Sequence, residues 1–122
     1  MHAISDWFQP VESGLQLTRR CLAVLAEFRN PVGIITKNHL VTRDLDHLAE
    51  LAKHGAAHVC ISLTTLDGAL AKTLEPRASP PGRRLAAIEE LSAAGVPVIA
   101  LTAPIIPGLN DHEIPALLAA AA

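Results

Sequence analysis

Tyrosine is absent from this chain of 122 residues, which has one tryptophan, two phenylalanines and two cysteines. Its apolar half is built instead from alanine, leucine, isoleucine and valine, the composition of helices packed on a parallel sheet. Cys21 and Cys60 are too far apart for a local metal motif and too few for a disulfide scaffold, so both are expected as small core residues. No strong charge of one sign is present either. A formal charge of −2 and a pI near 6.3 give no overall field for nucleic acid or an anionic membrane, and binding to either would need a local patch. No apolar run approaches the roughly 18 residues of a membrane span. The N-terminus lacks a basic start followed by an apolar stretch and a cleavage site, so a cytoplasmic protein is expected.

Alternation of strands and helices is the dominant pattern. A helix over 15–28, with Leu15, Leu22, Leu25 and Phe28 on one stripe, is stopped by Asn30-Pro31. The strand Val32 to Lys37 follows, then a helix over 43–53 ending at Gly55, and the strand Ala57 to Thr64. A short helix over 66–74, a loop with three prolines, a longer helix over 81–94 closed by Gly95 and the strand Pro97 to Thr102 come next. The last helix is expected near Asp111 as N-cap. This order predicts an α/β fold with a parallel sheet and right-handed crossovers. Met1 to Asp6 reads as the end of a strand, and three or four strands cannot close a barrel. The chain therefore reads as part of something larger, with open sheet edges.

Ligands of parallel α/β proteins sit at the carboxyl ends of strands. Here those ends carry Lys37, Ser62 and the turn Pro104 to Asp111. Strand alternation separates Val59, Ile61 and Leu63 from Cys60, Ser62 and Thr64, and Ile99 and Leu101 from Ala100 and Thr102. The bulky sets are expected on the helices. The small sets then leave room for a cofactor on the other face, toward which Lys37 points in register with Gly33 and Ile35. Arg77, Arg83 and Arg84 read as a solvated loop and helix start, or alternatively as a basic patch for phosphate. His54 and His58 are separated by Gly55, which breaks a two-histidine metal face, and no histidine is assigned a ligand role.

The turn Pro104-Ile-Ile-Pro-Gly-Leu-Asn-Asp111 resembles the Gly-x-Ile-x-Gly-x-x-Glu motif of radical S-adenosylmethionine (SAM) enzymes, with Asp111 for Glu and Pro104 for the first Gly. Ser5-Asp-Trp-Phe-Gln-Pro-Val-Glu12 is similar to the Thr-Asp-x-Tyr-Gln-Pro-x-Glu segment of radical SAM proteins related to spore photoproduct lyase. Ile34 to Lys37, Thr73 to Arg77 with Arg83 to Leu85, and Pro107 to Asp111 follow that group in order and spacing. The resemblance implies a partial (β/α) barrel, of which these residues are the central part, from the end of the second strand to the helix after the fifth. The remaining parts of that barrel would be its partners. It also implies a SAM site made by Ser5 and Asp6 at the ammonium and carboxylate groups, Lys37 at the carboxylate, Ser62 at the methionyl group or ribose, and Ile106 against the adenine.

The resemblance implies a [4Fe-4S] cluster in the parent protein and reductive cleavage of SAM to a 5′-deoxyadenosyl radical, with a nucleic-acid lesion as one substrate class. The Cys-x-x-x-Cys-x-x-Cys loop that would hold the cluster does not occur in these residues, so the chain alone is expected to be inactive. Two other readings stay open: a Schiff-base aldolase barrel using Lys37, and a non-catalytic remnant or module that pairs its sheet edge with a partner.

Overall fold

The structure, a computed structural model, describes residues 6–122. The expected strand end before Asp6, and Ser5 with it, lies outside the described residues. Three parallel strands, β1 (Val32–Thr36), β2 (Ala57–Ser62) and β3 (Val98–Leu101), lie side by side in chain order. Between and around them run α1 (Glu12–Leu15), α2 (Leu17–Glu27), α3 (Leu45–Lys53), α4 (Gly68–Leu74), α5 (Pro81–Ala93) and α6 (Ile114–Ala121). No helix among the described residues is long and apolar enough to cross a membrane.

One core joins the helices to one face of the sheet. Ile34 of β1 and Val59 and Ile61 of β2 pack with Leu22 of α2, Leu48 and Leu51 of α3, and Ala87 and Leu91 of α5. Both α3 and α5 end in the same way. Gly55 and Gly95 take positive φ, their N–H groups donate to Ala52 and Ser92, and the next residues, Ala56 and Val96, donate back to Leu51 and Leu91. This closes the helix on orphan carbonyls and delivers an apolar residue to the core at the amino end of the next strand.

Among the described residues, the side chains on the other face of the sheet lie outside this core. Cys60 pairs in register with Ile35 and Ile99, and Ser62 with Leu101. Ile35 and Ile99 are about half exposed there. Cys60 and Ser62 are thus opposite Val59 and Ile61, as alternation predicts, but β3 corrects the expectation. Ile99 and Leu101 share the open face with Ser62, while Ala100 is in register with Ile61 and Val98 packs against the core. Bulk does not decide which face a strand turns to the helices when both faces are apolar; the pairing register does.

Local corrections have local causes. Gln16 takes a left-handed φ and ends α1, so Leu15 lies off the stripe of α2 and is exposed; Phe28 caps α2 and is exposed too. Cys21 lies on the solvent side of α2, contrary to its expected core position, whereas Cys60 is buried. The helix expected over 43–53 begins as a 3₁₀ turn, His39–Asp44, started by the Asn38 side chain, with α3 following. That turn is fastened to α2 through Asp44, which Arg43 of the turn itself also holds. This fully buried carboxylate accepts from both Arg19 (3.0 Å) and Arg43 (2.8 and 2.9 Å).

Candidate functional site at the strand ends

The site begins where the strands stop. Asp6 reaches across to the end of β1, where its carboxylate accepts from the backbone N–H of Lys37 (2.8 Å), the hydroxyl of Thr36 and the N–H of Phe8 (2.8 Å). This places Asp6 and Lys37 on one cavity of about 160 Å³, with Gln9, Asn38, Arg77 and Ala78 among its other walls. Asp6 therefore does two things at once: it anchors the N-terminal segment and puts a negative charge beside the strand end.

The Lys37 ammonium is paired with Glu75 at 2.6 Å. The other oxygen of Glu75 accepts from Arg84, also at 2.6 Å. Arg84 is the largest fully buried side chain, only 2% exposed, and this corrects its reading as a solvated helix-start residue. Its remaining donors reach the carbonyls of Ser62 (2.9 Å) and Ser79 (2.6 Å), so one guanidinium ties the end of β2, the proline loop and Glu75 together. Burial pushes the Glu75 carboxyl up, but hydrogen bonds from Lys37 and Arg84 outweigh it and hold the group below its ordinary value. Arg83 turns instead to His39, and Arg77 lines the cavity, so the three arginines form no single patch.

Ser62 is buried on the open face of the sheet, at the end of β2. Ile106 lies in the turn after β3, and that turn is held by a residue the sequence reading did not single out. The Asn110 side chain, 1% exposed, accepts from the Ile106 N–H (2.7 Å) and donates to the carbonyls of Thr64 (2.9 Å) and Pro104 (3.0 Å). Gly108 takes the positive φ expected of it, and Asp111 accepts from its N–H rather than capping the last helix. Glu113 binds the Thr65 hydroxyl and the Leu66 N–H, and these bonds hold its carboxyl below the ordinary range.

Of the sequence-selected residues, Asp6 and Lys37 share one cavity. Ser62 joins them through Arg84 and Glu75, and Ile106 sits on a turn bolted to the end of β2. Glu75, Arg84 and Asn110 were missed as site builders. Their only sequence signal was position, in the Glu-Pro-Arg loop and the Gly-Leu-Asn-Asp turn, because burial and partners arise from segments up to 46 residues apart.

The radical SAM superfamily model matches residues 13–121. The chain belongs to the radical SAM superfamily, whose members use SAM and a [4Fe-4S] cluster. An uncharacterized protein of Methanocaldococcus jannaschii is 33% identical over 113 residues, covering 93% of this chain and 42% of that protein. One from Mycobacterium tuberculosis is 34% identical over 107 residues, 88% of this chain and 32% of that protein. An uncharacterized protein of Acidianus two-tailed virus is 39% identical over 80 residues, 66% of this chain and 26% of that protein. The chain thus spans well under half the length of the curated relatives it matches. No solved structure matches it.

The two family groups fare differently against these residues. The cluster does not fit: Cys21 is exposed on α2, Cys60 is buried in β2 with its thiol pushed up by burial, and the described residues hold no group of three metal-ligating side chains. For SAM, whose amino-acid end would require a cation and an anion, the residues present include both: Lys37 and Asp6 line one cavity at the end of β1.

Proposed function

We propose that this chain supplies the SAM-binding strand ends of a radical SAM enzyme of the spore photoproduct lyase-like group, with β1 to β3 as the third to fifth strands of its partial (β/α) barrel. The observation that supports this is the gathering of Asp6, Lys37, Ser62 and the Ile106 turn at the carboxyl end of one parallel sheet. Lys37 would meet the carboxylate of SAM, Ser5 and Asp6 its ammonium, Ser62 the methionyl group or ribose, and Ile106 the adenine. Because three donors already hold the Asp6 carboxylate, it contributes fixed negative charge more than free hydrogen-bonding capacity. Bound SAM supplies the family's hydrogen-abstracting chemistry once a cluster provides an electron, and these residues contain no cluster loop. Nucleic-acid lesion repair is the substrate class carried by the group resemblance. A Schiff-base lysine needs a desolvated, unpaired amine, and Lys37 is 44% exposed and ion-paired.

Lys37→Ala tests the reading. Breaking a hydrogen-bonded charge pair in a partly closed site costs about 2–4 kcal/mol, so SAM binding should weaken about 30-fold to 1000-fold. Calorimetric titration of the full chain reads this directly. Unchanged affinity in a folded variant removes Lys37 from the site.

A further inference from the structure

We propose that Glu75 is a positioning residue: pinned from behind by buried Arg84, it holds the Lys37 ammonium at the end of β1 in the orientation that receives a ligand carboxylate. The inference rests on Lys37 meeting the SAM carboxylate, and it explains how a flexible side chain keeps that place.

A lysine ends in a point charge on a four-carbon stem with several accessible rotamers, and ordering it on binding costs free energy. Here the ordering is built in. Arg84 is 2% exposed, and each of its three guanidinium nitrogens donates one hydrogen bond, to Ser79, Ser62 and Glu75, which fixes the plane of the group. Glu75 inherits that rigidity through one oxygen and presents the other to Lys37 at 2.6 Å. Lys37 remains 44% exposed, so the ammonium can still face a further partner with its remaining donors. Two cations share one carboxylate, which leaves this trio with a surplus of positive charge for an anionic ligand.

A purely structural Glu75, serving only to satisfy Arg84, would behave differently. Glu75→Gln separates the two roles, because the amide still offers Arg84 an acceptor but no longer holds Lys37 by charge. The readout is selectivity: affinity of the full chain for SAM relative to decarboxylated SAM, by calorimetric titration. We expect Glu75→Gln to weaken SAM binding about tenfold, the loss of one charge-assisted contact, and to leave decarboxylated SAM unaffected, with Glu75→Asp restoring part of the selectivity. Equal effects on both ligands, no effect, or tighter SAM binding overturns the role of Glu75. Lys37→Ala with unchanged selectivity, or no binding of SAM by the unsubstituted chain, overturns the site reading itself. Should Glu75→Gln not fold, ¹⁵N relaxation of the Lys37 ammonium in the unsubstituted chain decides. An ammonium more restrained than that of exposed Lys72 supports the proposal, and equal mobility refutes it.

Discussion

At the amino ends of β2 and β3 the chain enters from Gly55 and Gly95 through two matching turns, each made within five residues of sequence and each delivering an apolar residue to the core. At the carboxyl ends of β1 and β2 the contacts are polar, two of them ion pairs, and mostly distant in sequence: Asp6 to Thr36 and Lys37, Arg84 to Ser62 and Glu75, Glu75 to Lys37, and Asn110 to Thr64. The first end is closed by backbone geometry and hydrophobic burial. The second is held by polar groups that have their partners but still border a cavity. In parallel α/β architectures this division separates the end that secures the fold from the end that meets ligands.

Four variants or conditions probe that division. Arg84→Met should have the largest effect, about 3–5 kcal/mol in urea unfolding, because it strips the buried one of Glu75's two cationic partners and leaves the Ser62 and Ser79 carbonyls without their Arg84 donors. It should also weaken SAM binding. A cost below about 1 kcal/mol would mean that the ionic end bears little of the fold's stability.

Leu91→Ala, at a fully buried position of α5, should cost about 2–4 kcal/mol by lost burial and a residual cavity, with SAM affinity intact. A change in ligand affinity larger than Arg84→Met produces would erase the distinction between the two ends. Gly95→Ala should cost about 1–2 kcal/mol. An added Cβ meets nothing within 4 Å there, so the whole penalty is the positive φ of 78°. A neutral result would show that this turn can relax.

The smallest effect is expected from pH. Hydrogen bonds with Lys37 and Arg84 overcome the opposing effect of burial and hold Glu75 below its ordinary value of 4.5. A carboxyl whose folded pKa is depressed adds stability that is complete above its unfolded pKa and is lost as pH falls through the folded value. Unfolding free energy measured from pH 7 downward should therefore fall below pH 4.5, and less steeply in Glu75→Gln than in the unsubstituted chain. Parallel profiles would show that Lys37 and Arg84 do not hold the Glu75 proton off.

Much of this was legible in sequence. The order of strands and helices, the two glycine stops, the positive φ of Gly108 and the alternation of Val59 and Ile61 against Cys60 and Ser62 all follow from local rules of periodicity and backbone freedom. So did the placing of Lys37, Ser62 and the Ile106 turn at strand ends, because a strand's direction carries its last residues to one side of the sheet. The facing of β3 was not legible, since Ile99 and Ala100 differ in size but both strand faces are apolar, and only pairing with β2 fixes the register. Nor was the burial of Arg84, whose sequence neighbours, Gly82 and Arg83, are exposed. Sequence determined the elements and the end of the sheet at which chemistry gathers, because those depend on neighbours along the chain. Tertiary structure alone decided which charges meet, because Arg84, Glu75 and Lys37 come together only when the proline loop folds back across two strand ends.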